Sequence, residues 1–230
     1  MEPTPRSVRH ASLTLGAAVG VIGVSFGVVA VGAGLSVPMA CAMSLFVFTG
    51  ATQFAAVGVI ASGGSPIAAI GTGLLLGVRH IGYGLALRRT VRGPLARRLL
   101  ASQILIDEST AMALGPRDRD VGDRAFWWAG LSVFVAWNLG TAAGAAFGDA
   151  IGDPNELGLD AVFPAAFLAL LAPSLRDPRR RVVGGLGAVV ALALVSFTPA
   201  GVPIIAAGAI AVAAMLAARG SGEPDAAPAP

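Results

Sequence analysis

The sequence predicts an all-α fold, a polytopic integral membrane helix bundle of about seven transmembrane helices in which some helices are broken or re-entrant. Three observations carry that prediction. Hydrophobic residues make up 55% of the 230-residue chain and charged residues only 13%, with a mean hydropathy of +0.77, a balance suited to lipid rather than water. Apolar runs recur from Leu13 to Ala218, most of them long enough to cross a hydrocarbon core ~30 Å thick as helices. The 31 glycines and 15 prolines would disrupt soluble helices, but they are more frequent in membrane helices, where neighbouring helices re-satisfy freed backbone groups.

Taken in order, the expected spans are Leu13–Leu35, Pro38–Ala61, Pro66–Leu87, Leu99–Leu114, Phe126–Phe147, Ala161–Leu175, Val182–Phe197 and Val202–Ala218. Gly34-Leu35-Ser36-Val37-Pro38, Ser62-Gly63-Gly64-Ser65-Pro66 and Thr198-Pro199-Ala200-Gly201 carry turn chemistry, and the charged stretches Arg88–Arg98 and Pro116–Arg124 read as loops. The run after Arg6, Arg9 and His10 is longer than the apolar region of a secretory signal, so it is expected to stay as the first span. The chain therefore divides into a cytoplasmic N-terminal tail (1–12), a transmembrane domain (13–218) and a disordered tail (219–230) whose Pro-rich, small and acidic residues have nothing to bury.

Loop charge predicts orientation. Arg176, Arg179, Arg180 and Arg181 mark one loop as cytoplasmic, and Asp149, Asp153, Glu156 and Asp160 mark another, free of basic residues, as periplasmic. Arg6 and Arg9 belong inside, as do Arg88, Arg89, Arg92, Arg97 and Arg98. Three simple crossings from a cytoplasmic N-terminus would leave that last cluster outside. Either an early segment is re-entrant or broken, or the N-terminus is outside. The stripes Gly16, Gly20, Gly23, Gly27 and Gly140, Gly144, Gly148 each fall along a helix face and read chiefly as close helix packing.

The pI of about 10.4 comes from arginines placed mostly in short segments flanking apolar runs, a topological pattern, and no basic stripe interleaved with stacking aromatics suits a nucleic acid. With Cys41 as the one cysteine and His10 and His80 as the histidines, neither a disulfide framework nor a metal cage is expected. There is no Lys for a phosphate-binding loop, no HExxH and no GxSxG, so neither enzyme activity nor a cofactor is expected.

Polar residues inside apolar runs are the functional candidates. Asp107 and Glu108 are adjacent carboxylates, each costing roughly 2.5–3.5 kcal/mol at a bilayer centre on insertion scales, so they should face a cavity or partner. They read as a substrate-ammonium or proton site, or as solvated carboxylates of a surface segment. Neighbours on a helix point about 100° apart, so both serve one small site only if the helix breaks. Gln53 lies in Phe48-Thr49-Gly50-Ala51-Thr52-Gln53-Phe54, a stretch able to unwind and present backbone to a zwitterion, or else to bond across to another helix. Arg79 shares a helix face with Tyr83 beside His80; it either anchors the interface by snorkelling, or holds a substrate carboxylate or pairs with Asp107 or Glu108. Asn138 and Thr141 bind substrate or a neighbouring helix.

Ser25-Phe26-Gly27-Val28, Ala33-Gly34-Leu35, Phe48-Thr49-Gly50-Ala51-Thr52-Gln53-Phe54-Ala55-Ala56, Arg79-His80 with Tyr83-Gly84-Leu85, Asp107-Glu108-Ser109, Trp137 with Leu139-Gly140-Thr141, and Leu157-Gly158-Leu159-Asp160 leading into Phe163-Pro164-Ala165-Ala166-Phe167 follow one another in an order that resembles the AzlC family. The resemblance runs from Leu13 to Ala218. It implies secondary-active export of branched-chain amino acids or their analogues across the inner membrane, by a large subunit working with a small AzlD-type membrane partner and coupled to the proton gradient. Two departures leave substrate choice open: Val78 precedes Arg79 where the family often has Asn, and Thr52 stands where Ala is usual. Phe163–Pro173 also resembles a stretch of the small subunit, which implies docking through the carboxyl-terminal half along Val182–Ala218. Transport of a different small zwitterion, a membrane-embedded enzyme using Asp107 or Glu108, and a non-transporting scaffold are the competing readings.

Overall fold

The computed structural model describes residues 4–151, 174–198 and 202–220 together with Leu168 and Ala172. Most of the expected acidic loop after Asp149, most of the expected span Ala161–Leu175, the motifs between Leu157 and Phe167, and the tail from Ser221 lie outside the described residues. What is described is an all-α membrane helix bundle. Pro5–Gly32, Pro66–Leu87 and Arg119–Gly148 are long and apolar enough to cross a membrane. Exposed Phe46, Ile67, Leu74, Leu139 and Leu192 give the bundle an apolar exterior suited to lipid.

Helices α1 (Pro5–Gly32) and α8 (Arg119–Ile151) form its axis. Thr4 caps α1, accepting from the Ser7 N–H, and Pro5 occupies a first-turn position that needs no donor. The glycine stripes do what their spacing predicts. A Cβ on Gly16 would lie 2.9 Å from the Ser132 carbonyl and one on Gly23 would lie 2.8 Å from that of Trp137, while one on Gly144 would run into the backbone of Val24. Contacts advance together along both helices, from Ser132 Oγ on the Ser12 carbonyl (2.7 Å) to Gly148 against Val28, so α1 and α8 are parallel. Their starts, bearing Arg6 and Arg9, and Arg117, Arg119 and Arg124, share one end of the bundle, the basic end.

Between them the chain makes two half-depth hairpins, which corrects two expected spans. Pro38–Ala61 is not one helix but α2 (Val37–Phe46) and α3 (Gly50–Ala61), parted at Val47–Thr49 with Phe48 at φ 33°. At 10 and 12 residues these helices are each about 15–18 Å long, half of a hydrocarbon core. Met43 of α2 packs against the cluster of Ala56, Val59 and Ala69, and the chain passes from Ser44 at Thr141 to Gly50 at Trp137 and back to Phe54 at Phe26, so it enters from the end opposite the basic one, turns near Phe48 and returns. The Pro66–Leu87 span then leads back to the basic end as α4 (Pro66–Gly77) and α5 (Arg79–Leu87), stepping at Val78. Likewise Leu99–Leu114 is not a span. It is α6 (Leu95–Gln103) and α7 (Asp107–Leu114), rising from the basic end, where Arg97 meets Asp123, to Ile104 beside Gly130, and returning to Ala113 beside Gly122. The parity conflict in the loop charges thereby disappears: re-entrant hairpins add no crossing.

The hairpin tips touch, Gln103 Nε2 donating to the Leu45 carbonyl at 2.7 Å. Farther on, α9 (Pro178–Val195) is capped by Asp177 and packs antiparallel to α10 (Val202–Gly220), with Gly187 beside Ala207. Helix α10 runs alongside α4, Ile205 against Gly71 and Leu75 against Gly208. This places Arg176–Arg181 and the end of α10 at the basic end as well. Among the described residues, Arg79 alone of the arginines sits at mid-depth.

Candidate functional site

Where the two tips meet against the paired helices α1 and α8 there is a cavity of about 70 Å³, several times the ~10–15 Å³ that one water requires. Val19 and Ile22 come from the middle of α1, Val133 and Trp137 from the middle of α8. The first tip supplies Phe48, Thr49, Gly50 and Ala51, with Phe54 one turn on; the second supplies Ile106, Asp107 and Glu108; Arg79 enters from the step between α4 and α5. The cavity thus lies at mid-depth, lined by helix ends.

The polar floor is an ion pair. Arg79 Nη2 is 3.1 Å from Asp107 Oδ2, and the Tyr83 hydroxyl donates to Asp107 Oδ1. Both charged side chains keep about 30% of their surface exposed, so the pair is reachable from the cavity. Arg79 and Tyr83 are four apart on α5 and present one face to α7. Asp107 and Glu108 occupy the first turn of α7, where unpaired N–H groups and the helix dipole favour negative charge. The break at Ile104–Ile106 is held by Ser109, whose buried Oγ accepts from the Ile106 N–H at 3.0 Å and donates to the Ile104 carbonyl at 2.7 Å. The adjacent carboxylates both line the cavity from the first turn of α7, immediately after the break.

The apolar walls are aromatic on one side. Phe26, Phe54 and Trp137 form a cluster with ring centroids 5.3 to 6.2 Å apart, and Phe48 stands edge-on to Phe134 at 4.7 Å. Gly50 lets the first tip lie on the indole, since a Cβ there would be 2.9 Å from the Trp137 ring.

Other expected site residues lie around the cavity rather than on its wall. Gln53, fully buried one turn into α3, has no hydrogen-bond partner for its amide among the described residues. Four residues ahead of it, Thr49 occupies the unwound position. His80 places Nδ1 3.0 Å from the Gly77 carbonyl, edge-on to Tyr83. Asn138 Nδ2 donates to the Phe134 carbonyl of its own helix at 2.8 Å, and Thr141 Oγ1 accepts from Ser44 at 3.2 Å, tying α8 to α2. Sequence reasoning did not single out Thr49 from its stretch, did not identify Val19, Ile22 and Val133 as the apolar wall, and did not see Ser109 as the residue holding the break. The Thr49-Gly50 pair and the hydroxyl two residues after Asp107 are signals that could have found them. Among the described residues no group of acidic, His and Cys side chains could hold a metal ion.

Comparison with known proteins matches residues 14–151, more than half of the sequence, to the family described as AzlC protein. The chain belongs to the AzlC family. The match ends with α8, so it contains both hairpins and the whole cavity, while α9 and α10 fall beyond it. The branched-chain amino acid transport protein AzlC of Bacillus subtilis (strain 168) is 27% identical over 175 residues, covering 74% of this chain and 68% of that protein. No solved structure matches the chain.

Proposed function

We propose that this AzlC-family protein exports branched-chain amino acids, valine, leucine, isoleucine or analogues, across the inner membrane as a secondary transporter with residues 13–218 as its transport unit. The observation that carries the reading is the Arg79–Asp107 pair opening into a mid-depth cavity with apolar walls. A zwitterion offers that pair its own complement: the ammonium replaces the guanidinium at Asp107, and the carboxylate takes Arg79. Each internal charge keeps a partner throughout, which matters where an unpaired charge costs several kcal/mol. Val19, Ile22 and Val133 receive a branched side chain. Glu108 lines the same cavity without an ion pair among the described residues and is free to carry the coupling proton. The two tips, whose unwound backbone faces the site, supply the gates.

By the positive-inside rule the basic end is cytoplasmic, giving an inside N-terminus. A small AzlD-type subunit is assigned to the outer face of α9, where Val182, Leu186 and Val189 are exposed at helical spacing. The name of the Bacillus subtilis relative supports the substrate class. Transport of another small zwitterion is the second reading; walls of Val, Ile, Phe and Trp favour an apolar side chain over it.

The deciding experiment is efflux from cells loaded with valine, leucine or isoleucine dipeptides, expressing this chain with and without a small AzlD-type subunit. Efflux of a branched-chain amino acid needing both chains and lost in Asp107→Asn supports the reading. Absence of efflux with both chains in the membrane sinks the substrate assignment.

A further inference from the structure

A second pocket, of about 400 Å³, opens at the basic end beneath the α5–α6 loop. At ~30 Å³ per water it holds roughly a dozen. Arg88 and Arg92 reach it from the end of α5 and the loop, and Arg98 from α6, over a floor of buried Leu87 and Phe126. None of the three guanidinium groups has an ion pair among the described residues. The loop bearing Arg92 is nonetheless fixed. Arg97 donates to the Arg92 carbonyl, meets Asp123 at 2.6 Å and lies over the Trp127 ring at 5.1 Å, so the local carboxylate is already taken. On the outward faces of α5 and α6, Leu85, Leu95 and Leu99 are 61–68% exposed, which continues the pocket into lipid-facing surface.

We propose that this pocket binds the phosphodiester headgroup of an anionic phospholipid of the adjoining leaflet, its acyl chains lying on Leu85, Leu95 and Leu99. Three arginines lining one pocket, without an ion pair among the described residues and above an apolar floor at a helix end, match that ligand: charge at headgroup level, hydrocarbon below. Scattered topological arginines need neither a pocket nor convergence from two elements. A headgroup held there bridges α5, which carries Arg79, to α6, the outer leg of the hairpin that carries Asp107. The lipid therefore braces the two elements whose charges meet in the transport cavity.

The test uses the full chain in non-ionic detergent, titrated with phosphatidylglycerol, phosphatidylethanolamine or inorganic phosphate, with bound lipid counted by native mass spectrometry. Phosphatidylglycerol is expected to bind about tenfold or more tightly than phosphatidylethanolamine, and millimolar phosphate is expected not to displace it. Arg88→Gln/Arg92→Gln/Arg98→Gln should lose that preference; Arg6→Gln/Arg9→Gln, at the same end outside the pocket, should keep it. Equal affinity for the two lipids in the wild type, an unchanged preference in the triple variant, or displacement by phosphate alone each overturns the proposal. Should the triple variant fail to fold, the wild-type competition arms decide alone.

Discussion

Asp107 spends one carboxylate oxygen on Arg79 and the other on Tyr83, so three side chains from two elements act as a unit. Units of this kind are non-additive. Arg79→Gln and Asp107→Asn are each expected to reduce transport by about tenfold or more, as the loss of a hydrogen bond to a charged group costs roughly 1.5–3 kcal/mol. The double variant should be little worse than either single one, measured as initial efflux rates at matched membrane expression; losses that multiply would show independent roles. Tyr83→Phe leaves the ion pair and removes one donor, so weaker apparent affinity with a largely retained maximal rate is expected. Of these residues, the pair Asp107-Glu108 and the Arg79/Tyr83 face were legible because charge inside an apolar run is expensive. The Arg79–Asp107 pairing was one of several alternatives the sequence left open, since the chain between Arg79 and Asp107 folds back through a loop and a half-helix that periodicity does not reveal.

Each half-depth hairpin depends on a local device at its tip. The first turns at Phe48, held at positive φ, a conformation costing of order 1–3 kcal/mol for a non-glycine residue. The second turns on Ser109, whose hydroxyl satisfies two backbone groups freed by the break. Ser109→Ala is expected to lower stability by roughly 1–3 kcal/mol and to depress transport with it, read as an earlier thermal transition in detergent. The α1–α8 axis responds differently, because bulk rather than a hydrogen bond is at stake. Gly27→Leu would drive a side chain into the Thr141 carbonyl and the Ala145 amide, separating the parallel helices; loss of the monodisperse chromatographic peak is the expected result. That stripe was readable from spacing alone. The broken second span was anticipated as a stretch able to unwind, Phe48–Phe54; the break overlaps its start at Val47–Thr49, and Gln53 lies within α3, whose first residue Gly50 rests on Trp137.

At the scale of the molecule, the described arginines other than Arg79 gather at one end, and the two re-entrant tips meet against a pair of parallel helices. This topology predicts a labelling pattern. In a Cys41→Ser background, Arg89→Cys and Asp177→Cys should resist a membrane-impermeant maleimide added outside intact cells, while Ser62→Cys and Ser196→Cys should react. Reaction of Arg89→Cys would mean that one hairpin crosses. The charge rule had already placed Arg6, Arg88–Arg98 and Arg176–Arg181 together; it could not say how the chain returned there, since hydropathy counts apolar residues and is blind to a turn at mid-depth.

The sequence by itself determined the solvent, the all-helical class, the family, the glycine faces and the identity of most charged candidates. These follow from composition, from 3.6-residue periodicity and from the cost of placing charge in hydrocarbon, all of which are local properties of the chain. Tertiary structure alone decided that two expected spans are hairpins, that Arg79 pairs with Asp107 rather than snorkelling, that Asp107 and Glu108 share one cavity, and that Asn138 and Thr141 instead bond a carbonyl of α8 and Ser44 of α2. Each of those outcomes depends on which helix end meets which neighbour at mid-depth, a choice set by close packing between segments far apart in sequence.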